Sequence, residues 1–126
     1  RWSFAPMAEI AQSLKQRYPQ VPIIAFARQV GTNTVKLAKM GCFDALSLDH
    51  AVSLDFAREQ LQPHVCLQGN LDPLMVVTGG DAMLGAAEQI LEAWSDGPMI
   101  FNLSHGLIPP TPVAHVDLLS RRLRRA

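Results

Sequence analysis

The chain has 126 residues, the length of one ordinary domain, with 48% hydrophobic residues, 17% charged residues and a mean hydropathy of +0.12, which argues against a disordered chain. Eleven Lys and Arg balance eleven Asp and Glu, so net charge makes no case for nucleic acid or anionic lipid as a partner. No apolar run approaches the ~20 residues of a membrane-spanning helix, and the opening residues do not show the basic, apolar, small-residue pattern of a secretory signal.

In chain order, Phe4, Met7, Ala8, Ala11 and Leu14 recur at helical spacing and predict an amphipathic helix ended by Pro19 and Pro22. Residues 21–27 (VPIIAFA) form a short apolar run, the pattern of a parallel strand covered on both faces, with Arg28 at its end. Gly31-Thr32-Asn33-Thr34 offers turn and cap chemistry before a short helix carrying Val35, Leu37, Ala38 and Met40, closed by Gly41. The cycle then repeats. Residues 42–49 (CFDALSLD) read as a strand, 53–61 as a helix and 65–71 (VCLQGNL) as a strand. Gly79-Gly80-Asp81 precedes a helical stripe of Met83, Leu84, Ala87, Ile90, Leu91 and Trp94, and Gly97-Pro98 resets the chain before a fourth strand, 99–103. Pro109-Pro110-Thr111-Pro112 leads into a last helix with Val116, Leu119 and Leu123 on one face and Arg121, Arg122, Arg124 and Arg125 at its end.

Four strands alternating with helices, without a hairpin signal, imply βα units on a parallel sheet. An open doubly wound sheet and half of a (β/α)8 barrel both satisfy this count, whereas a complete barrel takes ~250 residues. The chain opens on Arg1, which fits a piece of a longer protein.

In either architecture functional residues gather at the carboxyl ends of the strands. Those ends carry Arg28; Asp49 and His50; Gln68, Asn70 and Asp72; and Asn102, Ser104 and His105. Capping and solvation account for any one of them, but as a set they favour a site. His105 is the sharpest member, because an imidazole at a strand end can donate to a carboxylate or exchange a proton near neutral pH, with Gly106 letting the backbone turn beside it. Asp72 also suits a cap for the segment that Pro73 opens.

Other features read more plainly. Gly31–Thr34 suits an N-cap better than an anion nest, and Gly79-Gly80 lacks the Lys-Ser/Thr of a phosphate loop. Cys42 and Cys66 read as buried reduced thiols, consistent with a reducing cytoplasm, and His64 with Cys66 lacks a third metal ligand. Lys15, Lys36 and Lys39 fall on helices, which disfavours Schiff-base chemistry at a strand end; Tyr18 reads as packing and the terminal arginines as a solvated helix end.

Gly41-Cys42-Phe43-Asp44-Ala45 with Leu48-Asp49, then residues 67–73 (LQGNLDP), then residues 101–106 (FNLSHG) followed by Pro109-Pro110-Thr111-Pro112, resemble in order and spacing the C-terminal part of the uroporphyrinogen decarboxylase family. The resemblance spans the whole chain. It implies that residues 1–126 are the C-terminal portion of a single (β/α)8 barrel domain, α/β with four parallel strands. It further implies cofactor-free, metal-free decarboxylation of the four acetate side chains of uroporphyrinogen III to coproporphyrinogen III in haem biosynthesis, by a cytoplasmic homodimer without a membrane span.

The family aspartate that holds the pyrrole N–H groups and the arginines that bind substrate carboxylates would lie upstream of this segment, so no catalytic residue is assigned within it. Neither Asp49 nor Asp72 takes that aspartate's part. His105 is the one residue that maps as substrate-binding, hydrogen-bonded to a substrate carboxylate; Arg28 lies where relatives often have a different polar or small residue and reads as no more than a rim contact. One departure adjoins His105: Ser104 stands where family members commonly have Gly. Two other readings compete, a zinc-dependent corrinoid or thiol methyltransferase of the same superfamily, which needs His and Cys ligands at strand ends, and a non-catalytic α/β binding module.

Overall fold

Alternating apolar strand runs and amphipathic stripes produce the expected alternation of elements in the computed structural model, which describes residues 3–124. Arg1, Trp2, Arg125 and Ala126 lie outside the described residues, so the expected place of Arg125 at the helix end is outside them too. The elements are α1 (Phe4–Arg17), β1 (Ile24–Phe26), a 3-10 turn (Gly31–Asn33), α2 (Thr34–Ala38), β2 (Ala45–Ser47), α3 (Leu54–Gln60), β3 (Cys66–Leu71), α4 (Pro73–Thr78), α5 (Gly80–Ala93), β4 (Met99–Leu103) and α6 (Val113–Leu123).

The four strands form one parallel sheet in the order β1-β2-β3-β4, with Ala25 opposite Leu46, Leu46 opposite Leu67 and Leu67 opposite Met99. This order decides between the two architectures. A doubly wound sheet reverses its strand order and carries helices on both faces, whereas here the order is monotonic. Ala25, Leu46, Leu67 and Leu71 share one core with Leu37 of α2, Ala57 of α3, Val76 of α4, and Met83, Ala87 and Ile90 of α5. The helices therefore cover one face, as in a (β/α)8 barrel wall. Trp94 closes this core; it is fully buried and its indole N–H donates to Leu54 O at 3.2 Å, joining the end of α5 to the start of α3.

The opposite sheet face carries Ile24, Phe26, Ala45, Ser47, Cys66, Gln68, Asn70, Ile100 and Asn102 in matching register. Several side chains here are open, with Ile24 at 47%, Phe26 at 41% and Ile100 at 41% exposure, which corrects the reading of residues 21–27 as covered on both faces. Continuous hydrophobicity marks a strand destined for burial on both sides, but this segment supplies helices for only one. Gln68 donates to Ser47 Oγ at 3.1 Å on that face.

Three further expectations change. Residues 42–44 are turn rather than strand: Asp44 faces backward, accepting from the Ile23 N–H at 2.7 Å and pairing with Lys15 Nζ at 2.7 Å, which ties α1 and β1 to β2. The hydrogen bond from the Lys15 ammonium, with that from the Ile23 N–H, holds the Asp44 carboxyl below its ordinary pKa. Tyr18 is not packed inside but half-exposed under the Arg17 guanidinium, 5.5 Å from the ring centre. Cys42 is buried, whereas Cys66 is only partly so because its strand position faces the open side; burial still raises its thiol pKa.

α4 is a helix of its own, beyond the stripes that apolar periodicity marks. Its cause is local: Asp72 Oδ1 accepts from the Leu74 N–H at 2.9 Å and Pro73 occupies the first turn, where a missing N–H costs nothing. The other caps differ. Ser53 caps α3 through the Phe56 N–H, while Asn33 makes no side-chain cap and Thr34 instead donates to Gly31 O at 2.8 Å. The anticipated N-cap at residues 31–34 is thus a 3-10 entry turn.

Candidate active site at the carboxyl ends of the strands

Parallel strands in register bring their carboxyl ends together, and the polar residues predicted there converge from positions far apart in sequence. Asn70, 4% exposed, is the organising side chain, because its amide donates to Asp49 O at 3.1 Å and to Val52 O at 2.9 Å. It thereby fixes the loop that follows β2. Gly69 permits this approach of β3 to β2: its φ is +131°, and a Cβ there would lie 3.0 Å from Leu48 O.

Asp49 is buried at 5% exposure, its carboxylate turned into its own loop. Oδ1 accepts from the Ala51 N–H at 3.1 Å and lies 3.5 Å from His50 Nδ1, while Oδ2 lies 3.9 Å from Arg28 Nε. Burial alone would raise this carboxyl, but the Ala51 N–H, His50, the Gln29 backbone and Arg28 together outweigh it and hold the pKa below the ordinary aspartate value. Gln29, at φ 57°, supplies its backbone from a left-handed conformation rare for a residue with a Cβ.

Ser104 is 2% exposed and joins three strand ends. Its N–H donates to Leu71 O at 2.9 Å, and its hydroxyl hydrogen-bonds His50 Nδ1 at 3.1 Å, reaching from the end of β4 across β3 to the residue after β2. His50 and His105 then face each other edge to face, ring centres 6.2 Å apart, and both are exposed. Its strand-end position puts His50 in the polar set, but nothing in its local sequence gives it a role. No local signal could, since its partners Ser104 and His105 are more than fifty residues away.

The remaining expected residues divide. Arg28 sits on the rim with its side chain 56% exposed. Gln68 lies deeper on the open sheet face, and Asn102 is exposed but turns its Oδ1 to the N–H of Leu103 at 2.8 Å. Asp72 is committed to capping α4 and lines a cleft of about 270 Å³ whose walls include His50, Asn70, Met75 and Gln89. His64 and Cys66 lie at the opposite end of β3 from this site; among the described residues no three His, Cys, Asp or Glu side chains come together as a metal-ion set.

These features define a wall of a (β/α)8 barrel with two imidazoles and a guanidinium at its carboxyl-terminal face. The uroporphyrinogen decarboxylase (URO-D) family model matches residues 1–126, and the chain belongs to that family, as a C-terminal part of its TIM-barrel chain. It is 42% identical over 124 residues to uroporphyrinogen decarboxylase of Sphingopyxis alaskensis and 39% identical over 124 residues to that of Cereibacter sphaeroides (strain ATCC 17029 / ATH 2.4.9), covering 98% of this chain in each case. With uroporphyrinogen decarboxylase of Ruegeria pomeroyi it shares 39% identity over 125 residues. The chain spans about 36% of the length of these relatives.

Proposed function

We propose that the full-length protein carrying this segment is a uroporphyrinogen decarboxylase, converting the four acetate side chains of uroporphyrinogen III to methyl groups without a cofactor or metal. Family membership over the whole segment carries this reading. Residues 1–126 are then the C-terminal portion of one barrel domain, and the protein acts as a cytoplasmic homodimer. Among the described residues no helix is long and apolar enough to cross a membrane.

In this reading each cycle protonates a pyrrole, breaks the bond to the acetate carboxyl and releases CO2, and the positive charge that develops on the pyrrole is stabilised by an aspartate outside this segment. The segment contributes substrate positioning. His105 stands exposed at the carboxyl end of β4, where an imidazole N–H can donate to a substrate carboxylate, and Arg28 faces the same opening from the end of β1. Asp49 and Asp72 are occupied by backbone N–H groups, which suits structural carboxylates rather than the charge-stabilising one.

The test is an assay of the full-length protein for coproporphyrinogen from uroporphyrinogen, with no metal or cofactor added. Product is expected; its absence from a folded protein would sink the reading. In the same assay His105→Ala is expected to lower kcat/KM about tenfold or more, the scale of a hydrogen bond to a charged group. Unchanged kinetics on all four acetates would remove His105 from the substrate contacts.

A further inference from the structure

We infer that His50 is a second carboxylate-binding imidazole, paired with His105, and that Ser104 is the residue that positions it. The inference rests on the substrate class proposed above and extends it to residues that no comparison assigns. Ser104 is buried, so its hydroxyl faces its neighbours in the protein rather than a ligand. Its side-chain hydrogen bond goes to His50 Nδ1, at 3.1 Å. That contact, with Asp49 Oδ1 3.5 Å from the same nitrogen, occupies Nδ1 on the inner side of the ring.

The consequence is orientation. With Nδ1 held inward and Asp49 itself fixed by the Ala51 N–H and by Asn70 bonding to its carbonyl, the 40%-exposed ring has Nε2 as the nitrogen left for a ligand. His105 lies 6.2 Å away between ring centres. A planar carboxylate accepts hydrogen bonds on both oxygens, so one such group can take a ring nitrogen from each histidine. Arg28 Nε lies 3.9 Å from Asp49 Oδ2, offsetting the buried negative charge next to His50. The pair suits one carboxylate arm of the substrate class proposed above.

The experiment uses the full-length protein and uroporphyrin III, the oxidised and non-reacting form of the substrate, with Kd followed by porphyrin fluorescence and KM and kcat measured in parallel. In His50→Asn the amide mimics Nδ1 and keeps the inward bond, but nothing replaces Nε2; Kd and KM should rise about tenfold with little change in kcat. His50→Gln places an amide where Nε2 was and should recover a substantial part of the affinity. Ser104→Ala should weaken binding about threefold in the wild-type background and not at all in His50→Asn, because it acts only through His50.

Unchanged Kd in His50→Asn overturns the proposal. So does an equal effect of Ser104→Ala in both backgrounds, or a fall in kcat alone. If no coproporphyrinogen forms but the binding pattern holds, the carboxylate site stands and the decarboxylase reading falls. If product forms and the variants bind normally, the reverse is true.

Discussion

Asp49 is a buried carboxylate whose ionised form is favoured by two backbone N–H groups, one imidazole and one guanidinium, against the cost of burial. Its folded pKa lies below its unfolded value, so its contribution to stability is full above the ordinary aspartate range and is lost as pH falls through the lowered folded value. Asp49→Asn keeps an acceptor for the Ala51 N–H but loses the charge. We expect it to destabilise the full-length protein by about 1–2 kcal/mol at pH 7, measured by urea unfolding, with the gap closing as pH falls through the aspartate range. A gap independent of pH would show that the charge contributes nothing. At this scale the sequence revealed which residues stand at strand ends, and it singled out His105 and Ser104. It could not reveal that Ser104 bonds to His50, a contact between residues 54 apart that exists only once β2, β3 and β4 lie side by side.

The helices show where local chemistry suffices and where packing intervenes. The stripe on α5 is buried as its spacing requires, with Met83 and Ala87 fully buried and Ile90 nearly so. α4 follows from Asp72-Pro73, a cap and first-turn pair visible in the sequence but easily passed over in a six-residue element. Its end depends on a distant residue: Gly79 adopts φ 71° and ψ −162°, a region almost closed to other residues, and the His115 ring of α6 packs where its Cβ would be. His115 Nδ1 is itself 2.9 Å from Val76 O. Gly79→Ala is therefore expected to cost about 2–4 kcal/mol by denaturant unfolding of the full-length protein, from backbone strain and overlap together. Adding His115→Ala should remove the overlap but not the strain; a double variant as unstable as the sum of both singles would contradict this account. The arginine-rich end of α6 is a solvated helix end as expected, with surface ion pairs from Arg122 to Glu88 of α5 at 2.7 Å and from Arg121 to Asp117 at 2.9 Å.

At the scale of the whole molecule, the sheet has, among the described residues, two open edges, β1 and β4, and one face without a helical layer. Ile24, Phe26 and Ile100 on that face, and Leu107 and Val113 beyond β4, are large apolar side chains left open. Unpaired strand edges beside exposed apolar surface favour association between chains. The isolated 126-residue segment is accordingly expected to be inactive and to associate in solution, as read by size-exclusion chromatography with light scattering. A monodisperse monomer that unfolds cooperatively would contradict the barrel-segment reading of these surfaces. The neutral net charge is that of this segment alone, in which Arg28 is the guanidinium at the carboxyl-terminal face.

By itself the sequence determined the number, order and type of the strands and the main helices, because apolar periodicity and Pro and Gly punctuation act over a few residues and report directly on burial and chain direction. It also determined that the polar residues stand at the carboxyl ends. Two matters were settled only by the tertiary structure. The first is that all the helices cover one face, since a monotonic strand order depends on which strands pair and two architectures satisfy the same local pattern. The second is the site's internal wiring: Asn70 to the Asp49 loop, Ser104 to His50, and His50 to His105. Those contacts run across the sheet rather than along the chain, so their geometry is fixed by strand register, which no local reading of residue spacing contains.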